Sequence, residues 1–372
     1  MRETTATMIR KTLIILLILF IAQTVQGQPL DTTKYRVVVT SEGRTNSFFK
    51  RDKFWRGADG ASSIDLGNGR VLWLFSDGFI ANDSSGSRKN SKMIRNSVAI
   101  QEGYDLNNAT IRYYWDKSGK EPGSFFPESG QFWYWTGHGA MIREKLILFL
   151  TKMKGVKTGL GFEAVTWVAV LVANPQEEPS HWKMKYLKGV ESFGTIVGSA
   201  AVLKDEEYLY AYSVLEPGTY EAYLLRWKIE NACDGNLTSL QWWFNGQWEE
   251  RKTKDPVPAP LFIGGTEYSV HWDPLLKKYL QLESHGFGAG SIRLRMADSL
   301  QGPWSEPRLF YKPDYTGVTK PFMYAAKAHP ELKSEGLVIT YNVNSFDFGE
   351  LVENQEIYFP KFLEVKITKK EE

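Results

Sequence analysis

The chain has 372 residues, 45 of them Lys or Arg against 43 Asp or Glu, and one cysteine, Cys233. A charge balance near zero, with the basic residues spread along the chain, leaves no electrostatic footprint for nucleic acid. The lone cysteine excludes an internal disulfide and a thiolate metal cluster. Aromatic residues make up 14% of the chain and 13 residues are Trp, so stability is expected to come from an apolar, ring-rich core.

Arg2, Arg10 and Lys11 precede an uncharged apolar run from Leu13 to Ala22, and Thr24-Val25-Gln26-Gly27 then offers a peptidase site. This pattern predicts a signal peptide over residues 1–27, with an uncleaved N-terminal anchor as the alternative. The run is shorter than the roughly 20 residues that cross a bilayer, and no later segment approaches that length. The mature chain is therefore expected to be periplasmic or secreted, with no membrane span. No Pro-, Gly- or Ser-rich linker divides residues 28–372, which are read as one domain and a monomer.

Short apolar stretches broken by Gly, Pro, Asn and Asp fill the rest of the chain. Arg70–Phe75, Lys145–Leu150 and Thr166–Val172 read as strands, none has sustained helical spacing, and helix content should be small. A unit recurs five times: a segment rich in small or polar residues, a tight turn, then a strongly apolar strand. The copies begin at Gly57–Ser63, Gly137–Met141, Gly198–Val202, Glu267–His271 and Tyr324–His329. Their apolar partners are Val71–Asp77, Leu146–Phe149, Tyr208–Tyr212, Tyr279–Glu283 and Leu337–Tyr341. Small residues suit an innermost strand where neighbouring blades crowd an axis, so the expected fold is an all-β, five-bladed β-propeller. A β-sandwich is the alternative architecture.

In a propeller the innermost strands line one funnel, and polar residues at equivalent places converge there although they are distant in sequence. The candidates are Asp59, His138, Ser199, Glu267, Lys327 and His329, with Asp77 ending the second strand of the first repeat. Glycosidic bond cleavage needs one carboxylic acid to protonate the leaving oxygen and one carboxylate as base or nucleophile. Asp59, Asp77 and Glu267 are the expected catalytic residues. Trp55 and Arg56 precede Asp59 in Trp-Arg-Gly-Ala-Asp-Gly, where Trp55 offers a flat face for a sugar ring. With His138, Lys327 and His329 they form the expected carbohydrate-binding set. No spacing resembles a zinc helix or an EF-hand loop, so no metal ligand or cofactor is assigned, although a structural calcium ion in the funnel is compatible with the sequence. The rival functions are a non-catalytic glycan-binding propeller and a calcium-centred lactonase or esterase.

Several segments carry a family resemblance: Ala58-Asp-Gly-Ala-Ser-Ser63, Gly69–Asp77, Arg95-Asn-Ser97, Glu267-Tyr-Ser-Val270, Arg295–Ser305, Lys327-Ala-His-Pro330 and Tyr341-Asn-Val-Asn344. From about Trp55 to Lys366 the chain resembles secreted bacterial five-bladed propellers catalogued as domains of unknown function. These are related to endo-D-arabinanases and other furanosidase-type glycoside hydrolases. The resemblance implies that Asp59 and Asp77 correspond to paired active-site carboxylates and that the substrate is an arabinan-like polysaccharide or oligosaccharide. The chain departs from the pattern at Ser76-Asp77-Gly78, where Gly-Asp-Thr is expected, and its catalytic acid is not evident.

Overall fold

A computed structural model describes residues 29–371 other than Ser85, Glu128 and Thr253; the predicted signal peptide lies outside the described residues. The chain is all-β, and among the described residues α-helix is confined to Ile229–Cys233 and Phe348–Glu353. No helix among them is long and apolar enough to cross a membrane.

Five large antiparallel sheets follow one another along the chain. Sheet I contains Ser62–Gly67, Arg70–Phe75, Ser97–Glu102 and Thr110–Tyr114. Sheet II contains Phe132–Ile142, Lys145–Gly155, Phe162–Val172 and Met184–Lys188. Sheet III runs through Ile196–Lys204, Tyr208–Val214, Glu221–Lys228, Gln241–Phe244 and Gln247–Glu250, and Phe262–Ile263 pairs with its third strand. Sheet IV contains Tyr268–Asp273, Lys278–His285, Ser291–Ala297 and Arg308–Tyr311. Sheet V contains Pro321–Ala328, Leu337–Ser345 and Lys361–Lys369, with the early strand Tyr35–Glu42 on its outer side. A small sheet of Trp55–Ala58, Gly78–Ala81 and Ser91–Ile94 stands beside sheet I.

The continuous apolar character of the second strands follows from burial on both faces. Along Arg70–Phe75, alternate residues point to opposite sides. Val71, Trp73 and Phe75 pack with Val338 and Phe362 of sheet V, while Leu72 and Leu74 meet Leu146, Leu148 and Leu150 of sheet II. Sheet II then packs on sheet III through Ile147, Phe149, Leu209 and Ala211. Tyr210 and Tyr212 of sheet III meet Tyr268 and Val270 of sheet IV, and Leu282 and Ile292 of sheet IV meet Met323 and Ile339 of sheet V. The five sheets thus pack face to face in chain order, and the last returns to the first. Each fully buried Leu or Phe in these layers stabilises the fold by about 1.5–3 kcal/mol.

The first strands lie side by side where the sheets converge, and crowding explains their small residues. A Cβ on Gly137 would run into the Gly198 carbonyl oxygen of sheet III, and one on Gly139 into the Ile147 carbonyl oxygen. The first repeat differs from its expected form. Gly57–Ser63 is split between the small sheet and sheet I, with a break at Asp59–Ala61 in which Gly60 has φ +90° and Ala61 φ +44°. Sheet V joins distant parts of the chain, with Tyr35 opposite Lys369 and Val39 opposite Val365.

Candidate active site

The break in the first repeat sets Asp59 beside Asp77. The Asp59 N–H donates to the Asp77 carbonyl oxygen (3.1 Å), and the Ser76 N–H donates to the Asp59 carbonyl oxygen (3.0 Å). The backbone itself therefore holds the two side chains as neighbours. Gly57 is required just before them: its φ is +106°, and a Cβ there would press on the Tyr358 carbonyl oxygen.

The two carboxyls have different surroundings. Asp59 Oδ2 accepts from the Tyr324 hydroxyl (2.8 Å) and, at 3.3 Å, from the Tyr358 hydroxyl, which also faces the Asp77 carbonyl oxygen at 3.0 Å. Burial, followed by the charges of Asp77 and Glu267, raises the Asp59 carboxyl well above the ordinary carboxylate range. Asp77 Oδ1 accepts from the Trp135 indole N–H (2.8 Å), and Oδ2 is paired with Arg95 Nη1 at 3.2 Å. The Arg95 guanidinium lies over the Trp133 ring, 4.4 Å from its centroid. Two neighbouring carboxyls cannot both ionise cheaply. The pair divides accordingly: Asp77 has the cationic partner and Asp59 keeps the proton.

A second pair comes from sheets III and IV. Glu267, just before Tyr268–Asp273, accepts from Lys327 Nζ at 2.7 Å; the same ammonium donates to the Gly60 carbonyl oxygen at 2.7 Å. The Lys327 side chain is 3% exposed, so this cation ties sheets I, IV and V together beneath the carboxyls. Glu216 lies in the turn after Tyr208–Val214. Burial, followed by the Glu267 charge, pushes its carboxyl up to about 7. The site thus has two carboxyls disposed to stay neutral, Asp59 and Glu216, and two with cationic partners, Asp77 and Glu267.

Four of the sequence candidates, Asp59, Asp77, Glu267 and Lys327, belong to this constellation; the others lie elsewhere. Trp55 is fully buried, stacked on Tyr113 at 4.4 Å, and donates its indole N–H to Ser97 Oγ. It has no free face for a sugar, which corrects the expectation for this residue. Arg56 turns toward the Asp52 carbonyl oxygen and the Phe359 ring. His138 Nε2 donates to the Ser63 carbonyl oxygen (3.0 Å), and its Nδ1 accepts from the Val202 N–H (2.9 Å). It stitches sheets I, II and III, and burial holds its ring down to about 4. His329, 1% exposed, is bonded to Ser63 Oγ and Thr340 Oγ1 and packs on Trp73. Both histidines are occupied by the protein, not presented to a ligand.

Sequence reasoning missed Glu216, Trp135, Tyr324 and Tyr358 as site residues. Tyr324 was within reach, since it opens the fifth repeat as Glu267 opens the fourth. Glu216 sits in Leu215-Glu-Pro-Gly218, an ordinary turn sequence whose significance comes only from the adjoining sheet. Among the described residues no group of three or more His, Cys, Asp or Glu side chains is placed to hold a metal ion.

The chain belongs to the DUF5005 family, a domain of unknown function, whose profile matches residues 43–367. A comparison with curated proteins found no match. Among solved structures, a Bacteroides ovatus ATCC 8483 protein provisionally named a hydrolase shares the fold. Its TM-score is 0.67 at 16% identity, over 92% of this chain and 96% of that one. Looser likenesses, both with TM-scores of 0.45, are to two carbohydrate-active enzymes. One is the α-L-arabinofuranosidase PaAbf62A of Podospora anserina in complex with cellotriose (13% identity, 85% of this chain and 92% of that one). The other is the GH43_1 enzyme of Xanthomonas citri in complex with xylotriose (11%, 87% and 92%).

Proposed function

We propose that the protein is a glycoside hydrolase acting in the periplasm or outside the cell, with the five sheets as blades of a five-bladed β-propeller and the carboxyls at its funnel. The observation that carries this reading is the division of four carboxyls into two neutral and two cation-paired groups. Glycoside hydrolysis needs a protonated donor for the leaving oxygen and an ionised carboxylate for water or the sugar. Glu216, at about 7, is matched to give up and regain a proton near neutral pH. Glu267 tunes it through space. Asp77, oriented by Arg95 and Trp135, is the ionised member of the opposite pair. Asp59 holds that pair's proton under its two tyrosines, which leaves Asp77 as the negative charge that faces the sugar as positive charge develops on it. The name of the Bacteroides ovatus protein agrees with a hydrolase, and the sequence resemblance favours an arabinan-like polysaccharide or oligosaccharide.

The test is reducing-sugar release from plant and bacterial polysaccharides, arabinans included, by the mature protein and by Asp59→Asn, Asp77→Asn and Glu216→Gln. Each variant should lose about 100-fold or more in rate while keeping its fold by circular dichroism. A wild-type protein that releases nothing from any polymer, or variants that retain full activity, would remove this reading.

A further inference from the structure

The carboxyl site continues outward as a row of aromatic rings. Tyr324, which bonds Asp59, stacks on Phe322 with centroids 5.1 Å apart and planes 20° apart. Phe322 stacks on Phe346 at 4.3 Å and 24°, and Phe346 meets Phe287 at 5.2 Å and 43°. Exposure grows along the row: Phe346 is 44% and Phe287 81% exposed. The exposed phenylalanines among the described residues are Phe287, Phe346 and Phe348; Phe287 lies in the loop between Lys278–His285 and Ser291–Ala297, Phe346 directly follows Leu337–Ser345, and Phe348 opens the short helix Phe348–Glu353.

The loop that carries Phe287 is held in place. Phe287 lies between Gly286 and Gly288, which have φ of +93° and +92°. The Gly288 carbonyl oxygen accepts from the Met323 N–H (3.0 Å), and the Gly290 carbonyl oxygen accepts from the Tyr315 hydroxyl (2.8 Å). Phe346 is fixed similarly, its N–H donating to the Lys320 carbonyl oxygen at 3.2 Å. The outermost ring is thus presented on a loop anchored to the strand that carries Tyr324.

We infer that Phe287 and Phe346, backed by Phe322, form a platform for sugar units beyond the one at the carboxyls, so that the ligand is a glycan chain and not a mono- or disaccharide. The inference rests on the carbohydrate reading above and extends it to ligand length. Sugar rings present flat arrays of C–H groups that pack on aromatic faces, and a row of such faces leading from a reacting centre binds successive units. A protein partner would equally cover apolar rings, but here the row ends on a carboxyl that bonds one of its own members.

Affinity electrophoresis tests this, using native gels cast with soluble arabinan, arabinoxylan, mixed-linkage glucan or mannan. The proteins are wild type, Asp77→Asn, Phe287→Ala/Phe346→Ala and Phe287→Trp, all checked for folding by thermal melting. The expected result is that at least one polymer retards the wild type and Asp77→Asn. The double alanine variant should bind about tenfold more weakly, with KM for the polymer raised more than kcat is lowered, and Phe287→Trp should retain binding. Equal retardation of the double variant overturns the inference, as does the absence of retardation by every polymer. So does a concentration-dependent dimer abolished by the alanines, which would make the occupant a second copy. Failure of the hydrolase reading looks different: the wild type would be retarded, by way of the same rings, yet release no reducing sugar.

Discussion

Asp59 and Asp77 are held together by their backbones, whereas Glu216 and Glu267 meet only because sheet III packs on sheet IV. The first pair is a local device: two backbone hydrogen bonds, from the Asp59 N–H to the Asp77 carbonyl oxygen and from the Ser76 N–H to the Asp59 carbonyl oxygen, place the carboxyls before any side chain chooses a rotamer. The second pair has no such tie, and what Glu216 feels depends on burial and on a neighbour fixed by the Lys327 ammonium. The comparison suggests that the first pair sets geometry and the second sets proton affinity.

The largest expected effect tests the geometric pair. Asp77→Asn keeps the shape but removes the charge facing Arg95 and the substrate, and kcat should fall by about 100- to 10,000-fold in a steady-state assay. A fall of less than tenfold would show that the backbone-knit pair does not carry the chemistry.

The tuned pair should reveal itself in stability next. Glu216 has its proton affinity raised on folding, from an ordinary value near 4.5 to about 7. The folded state therefore binds more protons than the unfolded state in that window, and stability falls as pH rises through it. Glu216→Gln removes this penalty. It should be more stable than wild type at pH 8 by about 2 to 3 kcal/mol, and nearly equal at pH 4, by urea denaturation.

A smaller effect separates burial from charge. If Glu216 is the proton donor, activity declines as pH rises through about 7. Glu267→Gln removes the neighbouring negative charge, so the alkaline limb of the pH–rate profile should move to lower pH by about half a unit to one unit. An unmoved limb would assign the shift to burial alone. The smallest effect concerns the ground beneath Asp59. Trp55→Phe should cost about 1 to 2 kcal/mol in stability through lost packing and the lost bond to Ser97, with KM for any glycan unaltered. A large rise in KM would return Trp55 to the binding set.

How much of this was legible in the sequence follows the same division. Asp59 and Asp77 were readable because they flank one hairpin, 18 positions apart (77 − 59), and hairpin partners are neighbours whatever the rest of the fold does. The five repeats were readable because strands such as Arg70–Phe75, buried on both faces, have to be apolar throughout. Glu216 was not, since Leu-Glu-Pro-Gly is polar punctuation until another sheet closes over it. His138 stood out for its flanking glycines, but the glycines answer to the carbonyl oxygens of Gly198 and Ile147, not to a ligand. Trp55 was misread because a tryptophan beside a turn aspartate has two sides to choose from, and only packing against Tyr113 and Phe75 decides.

Sheet V takes its outer strand from Tyr35–Glu42 and the neighbour of that strand from Lys361–Lys369. Sheets I to IV each draw on a local stretch of the chain, that of sheet I interrupted by two strands of the small sheet, and can assemble in the order in which they are synthesised. Sheet V cannot, because its early strand has to wait, unpaired, for more than 300 residues to follow. Until then it is an open edge able to pair with other chains. Pairing of these two strands thus closes the sheet last, and a chain truncated before residue 361 is expected to be cut faster than the full chain in limited proteolysis, its edge left open.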